Sequence, residues 1–276
     1  MTSDDAERLR SFERAAHTRM APGYDAFFSP VTALATPALL DAAAVGPGTR
    51  VLDVASGPGR VAAASIARGA VATGVDLAPG MVALAQSLHP GVPFQEAEVE
   101  SLPFGDGAFD ALVCSFGLGH FPRPEAAIAE CMRVVVPSGT LAFAWWDAPE
   151  RQRLQALFRE AVTDVGAPHP PGVPRHSTLR FCEAAELRRL LEDAGLVDVE
   201  VRAHATEHRV RDTEALWQGG LSSLAMTTGV IAHQPEEIRT RIRSAFERRA
   251  VACRTDHGLT IPIAYLIGSG RKSSSC

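Results

Sequence analysis

The sequence predicts an α/β protein: a seven-stranded, mostly parallel sheet with helices on both faces and a helical cap. Three observations carry that expectation. From residue 50 onward, short and nearly continuous apolar runs alternate with helical segments, the pattern of strands buried on both faces. After Trp146 the rhythm changes to longer helical stretches and a loop rich in proline and histidine. The 276 residues are 46% hydrophobic and 21% charged, a globular balance that supports one sizeable core.

The elements follow in order. Residues 5–17 form a charged amphipathic helix, Pro22-Gly23 is expected to break it, and 24–28 are a small aromatic patch. A helical run over 32–44 ends at the turn Val45-Gly46-Pro47-Gly48. Strands are expected over 50–54, 71–76, 92–96, 109–115 and 140–145, with helices over 59–68, 79–88 and 125–135. Gly105-Asp106-Gly107 reads as the turn before the fourth strand, and Pro137-Ser138-Gly139 as the turn before the fifth. Helices follow over 150–165 and 183–194, the second stopped by Gly195. A sixth strand over 197–201, an insertion with helices over 213–226 and 236–251, and a last strand over 260–267 complete the pattern. The Ser-rich tail 271–276 is expected to fray. On this reading residues 1–276 are one domain. It has a helical lid over 1–44, a core over 45–147, cap insertions over 148–180 and 203–258, and a last strand over 259–268.

Composition narrows the function classes. A net charge of −5 argues against a nucleic-acid partner and gives no attraction to anionic lipid. Arginines 239, 241, 243, 248 and 249 read as a solvated helix face with an apolar stripe inward. The five cysteines contain no Cys-x-x-Cys pair, which fits free thiols in a reducing compartment, and no His, Cys, Asp and Glu group has metal-ligand spacing. The first ten residues lack an apolar signal core, and no stretch approaches the roughly 18–20 apolar residues of a membrane helix. A soluble, cytoplasmic protein with no membrane partner is expected.

The strongest motif is Val51-Leu52-Asp53-Val54-Ala55-Ser56-Gly57-Pro58-Gly59, a buried strand running into a glycine turn and then a helix. Glycines 57 and 59 let a ligand approach the backbone, and open α/β sheets bind ligands at the carboxyl ends of their strands. The second strand ends at Asp76, where a carboxylate can accept hydrogen bonds from both hydroxyls of a ribose or cap the next helix. Met81, one turn into that helix, is placed to cover an adenine ring. NAD(P)-dependent oxidoreductases share a glycine loop and an acid after the second strand, and Ala62 is a permitted third position of their fingerprint.

Together with Gly74-Val75-Asp76-Leu77-Ala78-Pro79-Gly80-Met81, Ala97-Glu98-Val99-Glu100-Ser101-Leu102-Pro103-Phe104, Phe109-Asp110, His120-Phe121-Pro122 and Val136-Pro137-Ser138-Gly139, the first motif resembles class I methyltransferases dependent on S-adenosylmethionine (SAM). The resemblance is to their ubiquinone/menaquinone methyltransferase-like branch and covers about residues 45 to 147. It implies a Rossmann-like sheet, SAM as cofactor, and a small-molecule acceptor such as secondary metabolism supplies; a homodimer is allowed. By position it implies that Asp53 orients the methionine part of SAM. Ala55, Ser56, Gly57 and Gly59 form the loop, Asp76 binds ribose with Leu77 and Met81 beside it, and Glu98 and Val99 meet the adenine. Ser115 and Phe116 flank the methionine moiety. Ala55 departs from the three-glycine form of the loop, and Glu98 stands where the family usually has Asp. An acid inside the first strand and the Leu-Pro-Phe block set this reading apart from the oxidoreductases; a non-catalytic SAM-binding protein is the other alternative.

Methyl transfer from a sulfonium is an in-line displacement that rests on positioning, and it needs a base only where the acceptor must lose a proton. His120, just beyond the fourth strand, is the candidate base. Tyr24 and Phe28, with Phe27, are expected to fold over the cofactor as part of the lid. Trp145, Trp146 and His176 complete the expected acceptor pocket, although strand alternation sends the two tryptophans to opposite sides and lets at most one face it. An apolar or aromatic acceptor, methylated on oxygen or carbon, is the expectation.

Overall fold

The computed structural model describes residues 2–274; Met1, Ser275 and Cys276 lie outside the described residues, and with them the expectations of a free Cys276 thiol and a frayed chain end. Five strands form the parallel part of the sheet: β1 (Arg50–Val54), β2 (Val71–Asp76), β3 (Phe94–Glu96), β4 (Phe109–Ser115) and β5 (Val135–Trp146). β6 (Leu196–Val210) and β8 (Gly258–Lys272) close it antiparallel, in the order β3-β2-β1-β4-β5-β8-β6. A two-residue β7 (Arg254–Thr255) hairpins onto the start of β8 and makes an eighth strand beside the seven the sequence predicts. The order turns on β1, flanked by β2 and β4, and that reversal opens a crevice at the carboxyl ends of the strands.

Helices cover this sheet as the alternating pattern requires. α4 (Arg60–Ala67) and α5 (Pro79–Leu88) pack on the β1–β3 half. α3 (Thr36–Ala42) lies across β4, β5 and β8, α6 (Pro124–Val134) on β5, and α8 (Ala184–Asp193) on β6 and β8. Between them Leu52, Leu112 and Phe143 are fully excluded from solvent. Gly195, with φ at +88°, ends the α8 turn as expected.

Several boundaries differ from the sequence reading, each for a local reason. Pro22-Gly23 does not break the first helix: α1 runs from Ser3 to Gly23 with Pro22 inside it and passes into a π-helical turn over Tyr24–Phe28. The run expected over 32–44 is interrupted, as a short α2 (Ser29–Thr32) and a 3₁₀ turn (Ala33–Ala35) precede α3. Pro137-Ser138-Gly139 is not a turn before β5 but part of it, because a bulge with Ser138 at φ +65° keeps the pairing with β4 going. β6 continues to Val210 by pairing with β8, so residues 203–210, expected in the cap, lie in the sheet. At the other end Arg271 and Lys272 pair with β6 rather than fraying.

The cap consists of α7 (Arg153–Val165), α9 (Thr213–Ser223), α10 (Ala225–Ala232) and α11 (Glu236–Ala250). The single helix expected over 213–226 is divided at Leu224, whose φ of −106° and ψ of 84° are not helical. α9 packs on the π turn and α10 on α1 and α7, so the N-terminal and late insertions meet above the sheet. The α11 arginines are largely satisfied at the surface: Arg239 pairs with Glu236, Arg243 with Glu214 and Glu247, and Arg249 with Glu160 and Asp164. Cysteines 114, 131, 182 and 253 are free. Among the described residues no helix is long and apolar enough to cross a membrane.

Phe143 fills the middle of β5 and is fully buried. Phe143→Ala is expected to cost about 3–5 kcal/mol, read as a lower denaturant midpoint at unchanged slope. A loss below about 1 kcal/mol would show that the sheet collapses around the gap.

Candidate active site

The carboxyl ends of β1, β2, β4 and β5 open into one cavity roofed by α1, the π turn and α10, with α7 along its side. Its lining draws residues from each of these elements onto one mainly apolar space.

The glycine loop forms one wall. Gly59 has φ at +83°, and a Cβ there would sit 2.4 Å from the Phe94 ring, so the turn needs glycine on both counts. Gly57 at φ +52° has nothing within 4 Å of where its Cβ would be, which leaves its face open to the cavity. Its N–H donates to Asp76 Oδ2 at 2.8 Å, and Ala78 N–H donates to Oδ1 at 2.8 Å. Asp76 therefore both anchors the loop and holds the turn that leads into α5. Burial raises its pKa, against these two N–H groups and the more distant His17 and His120. Ala55, where a third glycine is the family habit, is held at φ +53°, and a Cβ on Gly117 would come within 2.6 Å of its methyl. Phe116 is strained in the same sense at φ +59° and stacks on Trp146 with centroids 3.9 Å apart.

Of the expected cofactor residues, Ala55, Gly57, Asp76, Leu77, Met81, Glu98, Val99, Ser115 and Phe116 line the cavity. Asp53, Ser56 and Gly59 do not. Asp53 is fully buried and accepts from Ala62 N–H at 3.0 Å through Oδ2, while Oδ1 has no partner. That burial, opposed by the Ala62 N–H and assisted by the Asp76 charge, pushes its pKa up to about 8.

On the acceptor side, Tyr24, Phe28, His120, Trp145 and Trp146 all line the cavity. Both tryptophans do so, contrary to the alternation argument. They stand at the last two positions of β5, where the cavity reaches around the strand end: Trp146 lies under Phe116 and Phe28, and Trp145 lies 5.6 Å from the His120 ring. His176 is outside the cavity, with its Nε2 2.8 Å from the Gly119 carbonyl, where it braces the turn that carries His120. Phe27 packs against Gly219 of α9 and the His208 ring rather than over the crevice.

The least expected feature comes from α1. Glu13 is 4% exposed, and its Oε1 lies 3.0 Å from His120 Nδ1. Its Oε2 lies 3.1 Å from His17 Nδ1, an ion-pair contact, while that nitrogen hydrogen-bonds the Glu13 backbone carbonyl. Burial works against both charges. Nevertheless His120, then His17, holds the Glu13 carboxyl well below its ordinary range, and Glu13 with the more distant Asp76 pushes His17 up to about 9. Glu13 was missed, but a signal existed: the buried stripe of α1 reads Ala6, Leu9, Glu13, Ala16, placing a carboxylate at core spacing with a histidine one turn on. Arg10, also missed, reaches from α1 to Glu98 at the cavity wall.

Comparison with known proteins decides the family. Residues 52–143 match the methyltransferase-domain family model. The chain is 31% identical over 212 residues to a ubiquinone biosynthesis O-methyltransferase of Burkholderia pseudomallei, a match covering 74% of this chain and 89% of that protein. The chain belongs to the class I SAM-dependent methyltransferases. It is also 34% identical over 178 residues to an uncharacterized protein of Mycobacterium tuberculosis, covering 62% of this chain and 65% of the relative, a little under two thirds of its length. Among solved structures, a putative methyltransferase from an antibiotic biosynthesis pathway of Anabaena variabilis shares the fold at TM-score 0.61 and 18% identity, covering 84% of this chain and 95% of that one.

The residues present fit the methyl donor of this family. The open face of Gly57 leaves a cradle that a Cβ would fill, and Ser115 Oγ is buried with no hydrogen-bond partner where the β4 end meets the cavity.

Asp53 provides a pH test. A carboxyl whose folded pKa is pushed up to about 8, from an ordinary 3.8, favours the folded state protonated, so its contribution to stability falls as pH rises from about 4 to 8 and then levels. Asparagine keeps the acceptor for Ala62 N–H without the charge. The melting temperature of Asp53→Asn relative to the parent, both ligand-free, is expected to improve steadily from pH 5 to pH 8 and change little above it. A difference independent of pH would show that Asp53 is ionised throughout.

Proposed function

We propose that the protein methylates a small aromatic acceptor, at a hydroxyl oxygen or an activated carbon, with His120 as the base that removes the acceptor proton. The observation that supports this most is the buried Glu13–His120 pair facing the same cavity as Asp76, Gly57 and Ser115. SAM, when bound, supplies a methyl group on a sulfonium and leaves as a neutral thioether.

The chain's residues divide the remaining work. Asp76 has lone pairs left after its bonds to Gly57 and Ala78 and accepts from the ribose hydroxyls; Leu77, Met81 and Val99 give the adenine an apolar bed, with Glu98 beside it. Ser115 and the glycine loop orient the methionine end. The rings of Phe116, Phe28, Trp145 and Trp146 wall the acceptor and exclude water from the reacting atoms. His120 donates Nδ1–H to Glu13 Oε1, which leaves Nε2 to take the acceptor proton as the acceptor's electron pair forms the bond to the methyl carbon. The imidazolium then lies against a carboxylate that His17 keeps ionised. Glu13 is thus a positioning residue and His120 the catalytic one.

His120→Ala is expected to lower kcat on phenolic acceptors by about 10²–10⁴ while SAM affinity stays within twofold. Glu13→Gln, which keeps the size and one acceptor oxygen, should lower kcat roughly tenfold with little change in KM. Release of S-adenosylhomocysteine from a phenol and quinol panel reads both. Full turnover by His120→Ala would remove it from the mechanism, and SAM binding without turnover of any acceptor by the parent would point to a non-catalytic SAM-binding protein.

A further inference from the structure

One wall of the cavity carries a positive charge that no acid among the described residues answers. α7 turns Gln155 and Arg159, one helical turn apart, into the cavity that holds His120. The acids near Arg159 are engaged elsewhere. Glu160 is held by Arg153 at 2.7 Å and by Arg249 at 2.5 Å, Asp164 by Arg249 at 2.6 Å, and Asp147 by Arg151 at 2.5 Å. Among the described residues no carboxylate pairs with Arg159, whereas the other arginine at the cavity, Arg10, is matched by Glu98 and Glu7. Burial also lowers the Arg159 pKa, against the more distant Cys182 and Glu160.

Leaving a guanidinium half-buried and unpaired is costly, and five N–H donors in a planar fork suit a carboxylate. The placement of charge across the cavity adds a direction. Asp76, whose hydrogen bonds come from the backbone N–H groups of Gly57 and Ala78, is the acid beside the glycine loop that suits a cofactor bearing a sulfonium and an ammonium, whereas Glu98 and Glu13 are matched by Arg10 and by His17 and His120. Arg159 lies on α7 with Gln155, in a cavity whose lining also holds Trp145 and Thr178, where Trp145 Nε1–H donates to the Thr178 carbonyl.

We propose that Arg159 and Gln155 bind a carboxylate at the end of the acceptor remote from the methylated atom, so that the acceptor is a hydroxylated aromatic acid rather than a neutral ring. This rests on the methyl-transfer reading of the cavity. The carboxylate anchors on α7, the ring lies between Trp145 and Phe116, and the hydroxyl meets His120. Bond making and breaking are unchanged, and the product is the aryl methyl ether.

The test uses the full chain with SAM, hydroxylated benzoates and cinnamates, and their matched methyl esters. The acids should exceed their esters in kcat/KM by about tenfold or more, as expected for a charge-assisted bidentate contact, and yield ethers. Arg159→Met should abolish that preference, leave affinity for S-adenosylhomocysteine within twofold, and raise the melting temperature by removing an unpaired charge; Arg159→Lys should retain part of the preference. Acids and esters used equally by the parent, or methyl esters as products, would overturn the anchor. Loss of S-adenosylhomocysteine affinity in Arg159→Met would instead assign the guanidinium to the carboxylate of the cofactor's own methionine and equally overturn it. Should no acceptor turn over, calorimetry on the protein loaded with S-adenosylhomocysteine decides: acids that bind no tighter than esters sink the anchor, whereas failure to bind S-adenosylhomocysteine at all sinks the methyl-transfer reading itself.

Discussion

A carboxylate that is 4% exposed cannot stand alone, and the seating of the first helix follows from that constraint. Glu13 lies in the apolar stripe of α1, so packing that helix onto the domain buries the charge, and the burial is tolerable only because His120 and His17 meet it. His120 in turn is held by a tight 3₁₀ turn over Leu118–His120, in which a Cβ on Gly119 would lie 2.0 Å from the Trp145 ring, and by His176 against the Gly119 carbonyl. The roof of the cavity and its candidate base are thereby parts of one packing arrangement. Were α1 displaced, Glu13 would return to water and His120 would lose its partner.

The cavity built beneath that roof is electrically divided. Acids cluster where the strands end and α1 crosses; Arg159 stands unpaired on α7. In a site shielded from water such separations act at greater strength than on the surface, and they orient a ligand before any close contact forms. The aromatic rings between the two sides supply area without competing hydrogen bonds. The backbone stores strain here as well: Ala55 and Phe116 both adopt left-handed conformations at the carboxyl ends of β1 and β4, where tight packing against Gly117 and Trp146 holds them.

The parallel core was legible because its signals are local. β4 matches its expected span residue for residue, and β1, β2 and α5 do likewise, since continuous apolar runs, glycine turns and proline starts act over a few neighbours. The bulge at Ser138 and the extension of β6 to Val210 were not legible, because both depend on pairing with a strand far away in sequence. The same division holds in the site. Gly57, Asp76 and Met81 could be placed from the strand-loop-helix order, and Ser115 from the family resemblance. Asp53, which the resemblance assigns to orienting the methionine part of SAM, accepts from Ala62 N–H in the helix that follows the loop, a matter of rotamer and burial that the motif does not specify. Trp145 and Trp146 were separated by strand alternation, which holds within a sheet but not at an end where the cavity wraps around it.

What the sequence alone determined is the family resemblance, the α/β class with its parallel core, and the strand-loop-helix segment proposed to receive the methyl donor, because those rest on contiguous segments whose spacing is their geometry. What only the tertiary structure decided is the other half of the cavity. Glu13 and His120 are 107 positions apart, and Arg159 is identifiable as unanswered only once the partners of Glu160, Asp164 and Asp147 are known. Burial and pairing of charge are properties of the folded chain as a whole, so residues that act through them carry no local mark.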